Sequence, residues 1–323
     1  MSKPYTPSPE LHDPGYDPGL TQKYAGLLKR IINKDGDFNV HRLGRTWRDF
    51  HPYLFLISTP WVTFLLLLTA AFIVVNTLFT GLYMALGTEH IKNAEGGARA
   101  WTFLNIFFFS VDTLTTVGYG NMYPAGTPAN IVSAAEALTG WLFFAIATGL
   151  LFGRFSKPSA RFGFSKTMVV APYMDGSALE FRVVNRRSNN LIEVEARVLL
   201  MTVEPSGNGV ERKYTPLELE RRQVLFFPLP WTVVHPIEPS SPLYGKTAED
   251  LERLQAEVMI VVKGFDDTFG QTVHARASYR YDEIVWGAKF VSAFEVGEDG
   301  DLVVHLEKIG SVDPQPLPEA AKT

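Results

Sequence analysis

Five consecutive residues, Thr116-Val117-Gly118-Tyr119-Gly120, could bind a bare cation through their main chain. Gly118 and Gly120 alternate with larger residues, and glycine adopts backbone angles that a β-carbon forbids. This alternation lets successive carbonyl oxygens point to one side, where they replace the water around an ion without adding a fixed charge. The Thr116 hydroxyl adds a further oxygen ligand. Because one chain offers one carbonyl at each level, a complete ion cage requires four chains around an axis.

The pentapeptide resembles the selectivity filter of potassium channels residue for residue. A glycine-rich turn in a globular domain is the alternative interpretation. The flanking segments, residues 107–113 before it and 121–124 after it, also match the segments that flank such filters. This agreement disfavours a chance occurrence of the pentapeptide. We therefore predict K+ ions bound at Thr116, Val117, Gly118 and Tyr119.

The composition excludes several other classes of protein. The chain has 323 residues, enough for a membrane unit and one soluble domain. Its net charge of −4 gives no sign of nucleic-acid binding, and the lack of cysteine excludes disulfides and thiolate metal sites. The seven histidines have no metal-ligand spacing, and no catalytic motif has its structural context. We predict neither an enzyme nor a cofactor other than K+ ions.

Two apolar stretches, residues 60–86 and 130–153, are long enough to cross a bilayer as outer and inner helices. Basic residues cluster before the first stretch and after the second, so both termini are expected in the cytoplasm. Residues 98–113 are too short to cross and predict a re-entrant pore helix, whose C-terminal end points partial negative charge at a cation. Together with the filter at 116–120, these elements predict a two-span pore domain over residues 59–156.

Several residues around the predicted filter could support it. Phe108 and Phe109 are expected to pack around it as a collar. Asp112 could hydrogen-bond the filter amides or Asn121, or be a purely structural carboxylate. Glu136, the one ionisable residue of the second span, marks a functional position. Since it lies near the outer end, we expect it to brace the pore helix and not to bind ions.

The inner helix is expected to line the pore. Phe144, Thr148 and Phe152 recur every four residues and form one stripe, which simple packing would also explain. Around a fourfold axis, Phe152 would form an apolar constriction that gates by dewetting. Gly140 and Gly149 are candidate hinges, although membrane helices tolerate glycine in any case.

The remaining segments predict a slide helix, a β domain and loose ends. Residues 44–58 mix basic and aromatic residues, which is typical of an amphipathic helix on the membrane surface; a solvated linker is the alternative. From residue 157 to 310 short β-type runs alternate with turn signals and predict an all-β sandwich. It includes one helix at 247–254, capped by Thr247 and Asp250. Residues 1–43 and 311–323 are expected to be flexible.

Three further motifs identify a family resemblance. GRFSKP occupies 153–158; WTVVHPI occupies 231–237 and is followed by SPLYG at 241–245; ARASY at 275–279 leads to EIVWG at 283–287. With the order of elements, these motifs resemble inward-rectifier potassium channels, most closely the bacterial (KirBac) branch, over residues 36–310. The resemblance implies a homotetramer in a bacterial inner membrane, with an immunoglobulin-like cytoplasmic domain that extends the pore.

The resemblance also implies gating by anionic lipids such as phosphoinositides, with inhibition as the expected sign. The lipid-binding candidates are basic residues on either side of the pore domain: Arg45, Arg48, Arg154, Lys157 and Arg161. Setting the topology is the alternative role for these charges. Phe144 stands where strongly rectifying relatives have an acid, so weak rectification is expected.

Two residues after the filter also depart from the family. Asn121 replaces a common aspartate, and Met122 replaces an arginine that pairs with the pore-helix acid in animal relatives. Asn121 leaves open a non-selective cation pore, if the filter is loose. The bulky Phe144 and Phe152 leave open a second alternative, a poorly conducting membrane-tethered ligand sensor.

Overall fold

The computed structural model describes residues 18–20, 30–34, 36–44, 46–94, 99–157, 161–206 and 209–318. They divide into two compact units. One comprises residues 43–157, and the other comprises the residues before 43 and after 157. Two helices among the described residues are long and apolar enough to cross a membrane, and both lie in the first unit.

The described residues of the membrane unit form four α-helices and a two-stranded ladder. The helices are α1 (Pro52–Ser58), α2 (Trp61–Leu86), α3 (Arg99–Leu114) and α4 (Thr127–Phe155). Strands β1 (Ile91–Lys92) and β2 (Tyr123–Pro124) pair antiparallel. The outer and pore helices end within about one residue of the predicted bounds. The inner helix is longer at both ends than the predicted 130–153, and at its start Pro128 suits the first turn after Gly126.

The segment predicted as one slide helix, residues 44–58, is interrupted. A 3-10 turn spans Trp47–Asp49, and α1 begins only at Pro52. Proline disfavours helical angles in the residue before it, and His51 is accordingly extended, with φ −105° and ψ 97°. Because the helix can begin only at Pro52, α1 is about half as long as the predicted helix over residues 44–58. The prediction did not take this effect of Pro52 into account.

The second unit is a β-sandwich, as the sequence predicts. One sheet contains β3 (Phe162–Phe164), β4 (Met168–Tyr173), β5 (Gly176–Asn185), β9 (Trp231–Pro236) and β12 (Ile284–Trp286). The other contains β6 (Leu191–Ser206), β7 (Gly209–Leu217), β8 (Gln223–Phe226), β10 (Glu257–Asp266) and β11 (Gln271–Arg280). The first sheet has the order β12-β4-β5-β3, with β9 also paired to β5, and the second has the order β11-β10-β6-β7, with β8 also paired to β6.

Apolar side chains from both sheets form one core. Phe181 of β5 and Ile260 of β10 are among its fully buried members. Strands β4 and β5 are buried over runs of consecutive residues and do not alternate between buried and exposed positions. The expected helix is α5 (Ala248–Arg253), and Thr247 and Asp250 form its capping box. The WTVVHPI motif places His235 inside the domain, where its ring bonds the Glu218 carbonyl and, at 2.8 Å, Ser241 Oγ. Burial lowers the pKa of His235 below its ordinary value.

Both ends predicted as flexible include ordered residues. Ile32 bridges to Phe38, is buried, and accepts a 2.7 Å hydrogen bond from Ser278 Oγ through its carbonyl. At the other end, β16 (Val312–Pro314) pairs with β13 (Ala288–Phe290). A further hairpin joins β14 (Phe294–Val296) and β15 (Leu302–Val304). Ile32 and β16 gain order from partners elsewhere in the chain, which local composition does not reveal.

Candidate ion-conduction site

The predicted filter has the alternating backbone that a row of parallel carbonyls requires. Thr116, Gly118 and Gly120 have positive φ angles of 58°, 57° and 82°, and they alternate with Val117 and Tyr119. The sequence predicts the two glycine angles but not that of Thr116, which is unusual for a β-branched residue. All five residues are exposed in the single chain, so their main chain is open on one side.

The end of α3 holds the inner end of the filter. The main-chain carbonyl of Asp112 accepts hydrogen bonds from the amides of Val117, at 2.9 Å, and Gly118, at 3.3 Å. The Thr116 amide bonds the Thr113 carbonyl at 3.1 Å. Asp112 thus contacts the filter amides through its backbone, whereas the prediction gave that contact to its carboxylate.

The two phenylalanines proposed as a collar lie in different surroundings. Phe109 is buried and packs edge-on against Tyr83 of α2, with ring centroids 5.2 Å apart. Phe108 is 57% exposed and contacts Phe107 within the same helix. Of these two phenylalanines, Phe109 is therefore the one that packs α3 against the outer helix within one chain.

Glu136 joins the three membrane helices behind the filter. Tyr83 of α2 donates a 2.6 Å hydrogen bond to Glu136 Oε2, and Ser110 of α3 donates one to Oε1. The Ser110 hydroxyl also lies 3.1 Å from Asn76 Oδ1 of α2. All four residues are buried. A buried polar network with each member bonded fixes the packing of its elements, so this one locks α3 between α2 and α4.

Gly140 allows the inner helix to touch the end of the pore helix. A β-carbon at this position would lie 1.9 Å from the carbonyl oxygen of Leu114, two residues before the filter. The same addition at Gly149 meets no atom of the described residues within 4 Å. The close approach of the inner helix to the end of the pore helix therefore explains the glycine at position 140, and no bend of the inner helix is needed for it. Gly149 lies in open space among the described residues.

The stripe on the inner helix is uncovered in the single chain. Phe144 and Phe152 are 48% and 72% exposed, and Thr148 between them is exposed as well. Ala147 and Leu150, on another face of α4, are buried. The stripe is thus free to face an axis or a neighbouring subunit.

The inner helix meets α1 through Arg154. Its guanidinium donates to the carbonyl oxygens of Leu56, at 2.5 Å, and Thr59, at 2.7 Å. It also lies 4.5 Å from the ring centres of Trp61 and Phe64. Hydrogen bonds to a cation and cation–π contacts are both strong interactions in apolar surroundings. This side chain is therefore an anchor of the helix that precedes the outer span.

The other basic candidates differ in their surroundings. Lys157 and Arg48 are exposed, and Lys157 Nζ lies 3.3 Å from Ser58 Oγ. Arg161 is exposed in the β unit, where its carbonyl bonds the Arg186 amide. Arg45 lies outside the described residues.

Some residues of the site were missed from the sequence. Asn76 was detectable, because a polar side chain within an apolar span marks a packing or functional contact. Ser110 had no such signal, and its partners lie 26 and 34 residues away in the chain. Met122, a noted departure, packs against the cluster around Tyr83 and Phe109.

Comparison with known proteins divides the chain between two family models, in agreement with the two units of the structure. A family model for the inward rectifier potassium channel C-terminal domain matches residues 162–322, and an ion channel model matches residues 60–157. The inward rectifier potassium channel Kirbac3.1 of Paramagnetospirillum magnetotacticum is 39% identical, over 88% of this chain and 95% of the relative.

Two mammalian proteins also align with most of the chain. The G protein-activated inward rectifier potassium channel 3 of Mus musculus is 28% identical, over 91% of this chain and 80% of its own length. The human ATP-sensitive inward rectifier potassium channel 12 is 26% identical, over 85% of this chain and 69% of its own. The chain, with its two apolar helices and β-sandwich, belongs to the inward rectifier potassium channel family and resembles its bacterial branch.

Proposed function

We propose that four copies of this chain form a potassium-selective channel in a bacterial inner membrane, with both termini in the cytoplasm. The observation that carries the proposal is the alternation of positive φ at Thr116, Gly118 and Gly120 directly after a pore helix. Four such segments around an axis supply rings of carbonyl oxygens that replace the hydration shell of K+. The exposure of the filter in one chain supports this assembly.

The inner helix supplies the gate in this proposal. Phe144, Thr148 and Phe152 are exposed along one stripe, and four copies of Phe152 would form an apolar ring that excludes water when closed. Phe144 carries no charge that could hold a polyamine or Mg2+ in the pore. Rectification arising in the cavity is accordingly weak.

Anionic lipid regulates the channel through basic residues near the cytoplasmic membrane surface. Arg48, Lys157 and Arg161 are exposed, which supports this role, and Arg45 belongs to the same basic set. Each such charge near a membrane surface contributes about 1 kcal/mol of attraction to anionic lipid. Phosphoinositide is expected to inhibit conduction.

Uptake of radioactive rubidium into liposomes that contain the purified protein tests this function. We expect uptake that barium blocks, that excess sodium leaves unchanged and that phosphoinositide reduces. Protein-free liposomes give the background. Equal uptake of radioactive sodium would favour a non-selective pore. No uptake in either lipid condition, even after Phe152→Ala, would instead support the ligand-sensor alternative.

Arg154 has a structural role that the exposed basic residues lack. One of its terminal nitrogens donates to a carbonyl within α1, and the other donates to the carbonyl of Thr59, directly after that helix. Arg154→Gln should lower thermal stability, since a hydrogen bond to a charged group contributes about 1.5–3 kcal/mol. It should leave the half-inhibitory phosphoinositide concentration almost unchanged. Thermal unfolding and lipid titration of rubidium uptake measure the two effects.

Lys157→Gln is the matched comparison for Arg154. Lys157 is exposed, so its loss should leave the unfolding temperature unchanged. It should raise the half-inhibitory lipid concentration about fivefold, the equivalent of about 1 kcal/mol. A large lipid shift for Arg154→Gln with unchanged stability would contradict the anchoring role.

A further inference from the structure

The segment His90–Ala94 connects the pore helix with the residues that follow the filter. It contains β1, whose Ile91 and Lys92 pair with Pro124 and Tyr123 of β2. The Ala125 amide also donates a 2.7 Å hydrogen bond to the His90 carbonyl. We call this segment the outer bracket.

Two asparagine side chains complete the connection. Asn105 of α3 donates through Nδ2 to the carbonyl of Ala94, at 3.1 Å. Asn93 donates through Nδ2 to the carbonyl of Asn121, at 2.8 Å. Asn121 follows Gly120 directly, so the second bond fixes the first peptide beyond the filter. Ala94 is fully buried, which holds the bracket itself in place.

The filter is therefore held at both ends by hydrogen bonds that originate in the pore helix. At the inner end the Asp112 carbonyl accepts two filter amides directly. At the outer end the connection runs from Asn105 through the bracket to Asn93 and Asn121. A carbonyl ring discriminates between ions only while its oxygens keep their spacing and field, so both ends matter for selectivity.

We propose that Asn93 is a positioning residue for ion selectivity, acting through its side-chain amide on the carbonyl of Asn121. It does not touch the ion. It holds the outer end of the filter in place of the acid that the sequence lacks at position 121. The inference rests on the proposed potassium-selective function.

The backbone of Asn93 offers a second explanation that the test must separate. Its φ is 62°, and asparagine tolerates this left-handed conformation better than most residues. Asn93→Gly keeps the conformation accessible and removes only the amide. Asn93→Ala removes the amide and also strains the backbone.

The test compares initial uptake of radioactive rubidium and sodium in liposomes. We expect Asn93→Gly and Asn93→Ala to lower the rubidium-to-sodium ratio to a similar extent, about fivefold, as for the loss of one hydrogen bond. Asn130→Ala is the matched control, because its side chain bonds the Gly126 carbonyl near the start of its own helix. That variant should keep the wild-type ratio.

A crosslink gives a rescue experiment in the same protein. Lys92 and Tyr123 are antiparallel partners, whose Cα atoms lie about 4.5–5.5 Å apart, within the range for a disulfide. The chain has no cysteine, so Lys92→Cys with Tyr123→Cys creates the only thiols. In the Asn93→Gly background, oxidation should restore selectivity and dithiothreitol should abolish it again.

The outcomes separate the inference from the proposed function. A wild-type protein that admits sodium as readily as rubidium would overturn both. A selective wild-type protein with equally selective Asn93 variants would overturn the inference alone. Loss of selectivity in Asn93→Ala but not in Asn93→Gly would assign the effect to backbone strain and overturn the role of the amide. A disulfide that forms without restoring selectivity would contradict the role of the outer bracket in holding the outer end of the filter.

Discussion

Gly140→Ala should abolish most of the rubidium uptake. The new methyl group would lie 1.9 Å from the Leu114 carbonyl oxygen, a distance that no relaxation of a flexible side chain relieves, since the obstacle is backbone. The inner and pore helices must therefore separate next to the filter. Overpacking of this kind costs about 1–3 kcal/mol or more, so a loss of at least about fivefold is expected. Uptake per reconstituted protein measures it.

Gly149→Ala is the matched control on the same helix. Its methyl group meets no described residue within 4 Å, and alanine favours a helix over glycine by about 1 kcal/mol. The protein should fold at least as well as the wild type. If Gly149 serves as a hinge, this variant would change gating without loss of stability. Normal uptake by Gly140→Ala would contradict the close approach.

Glu136→Ala should destabilise the membrane unit. The change leaves the hydroxyls of Tyr83 and Ser110 without their acceptor in a buried site. Each unsatisfied buried group costs about 1–3 kcal/mol, and the deleted side chain leaves a cavity besides. We expect an unfolding midpoint lower by roughly 5–10 °C, measured by thermal unfolding in detergent.

Glu136→Gln is the control, because an amide of nearly the same shape keeps an oxygen acceptor for one of the hydroxyls. It should retain most of the stability that Glu136→Ala loses. A double-mutant cycle with Ser110→Ala isolates the contact, since that change should cost less once Glu136 is absent. Additive losses would contradict a direct interaction between the two side chains.

The sequence predicted the features that local pattern encodes. The two spans follow from their length and apolar composition, and the sandwich follows from repeated short β-type runs separated by turn signals. The capping box at Thr247 was found because both of its members lie within four residues. In the filter, the positive φ angles of Gly118 and Gly120 were predictable from their residue type, because glycine favours such angles.

The left-handed angle at Thr116 also has a local cause, because the amides that follow α3 bond the last carbonyls of that helix, but threonine is not a residue type that indicates such an angle. Other features depend on contacts between distant parts of the chain. From the sequence Arg154 is a lipid-binding candidate, and its contacts with Leu56 and Thr59 could not be predicted because these partners lie nearly a hundred residues away. Asn93 and Asn121, 28 residues apart, likewise look like ordinary loop residues until the chain is folded.

The hydrogen bonds of Glu136 also bear on how the protein is made. Two polar side chains of the outer helix find acceptors within that helix, since Asn76 bonds the Phe72 carbonyl and Thr80 bonds the Asn76 carbonyl. Glu136 instead takes its partners from segments synthesised 53 and 26 residues earlier. A lone inner helix would bring an unsatisfied carboxyl group into lipid, which is costly. We therefore expect the outer and pore helices to be in place first, so that they supply hydrogen-bond donors for Glu136 when the inner helix enters the bilayer.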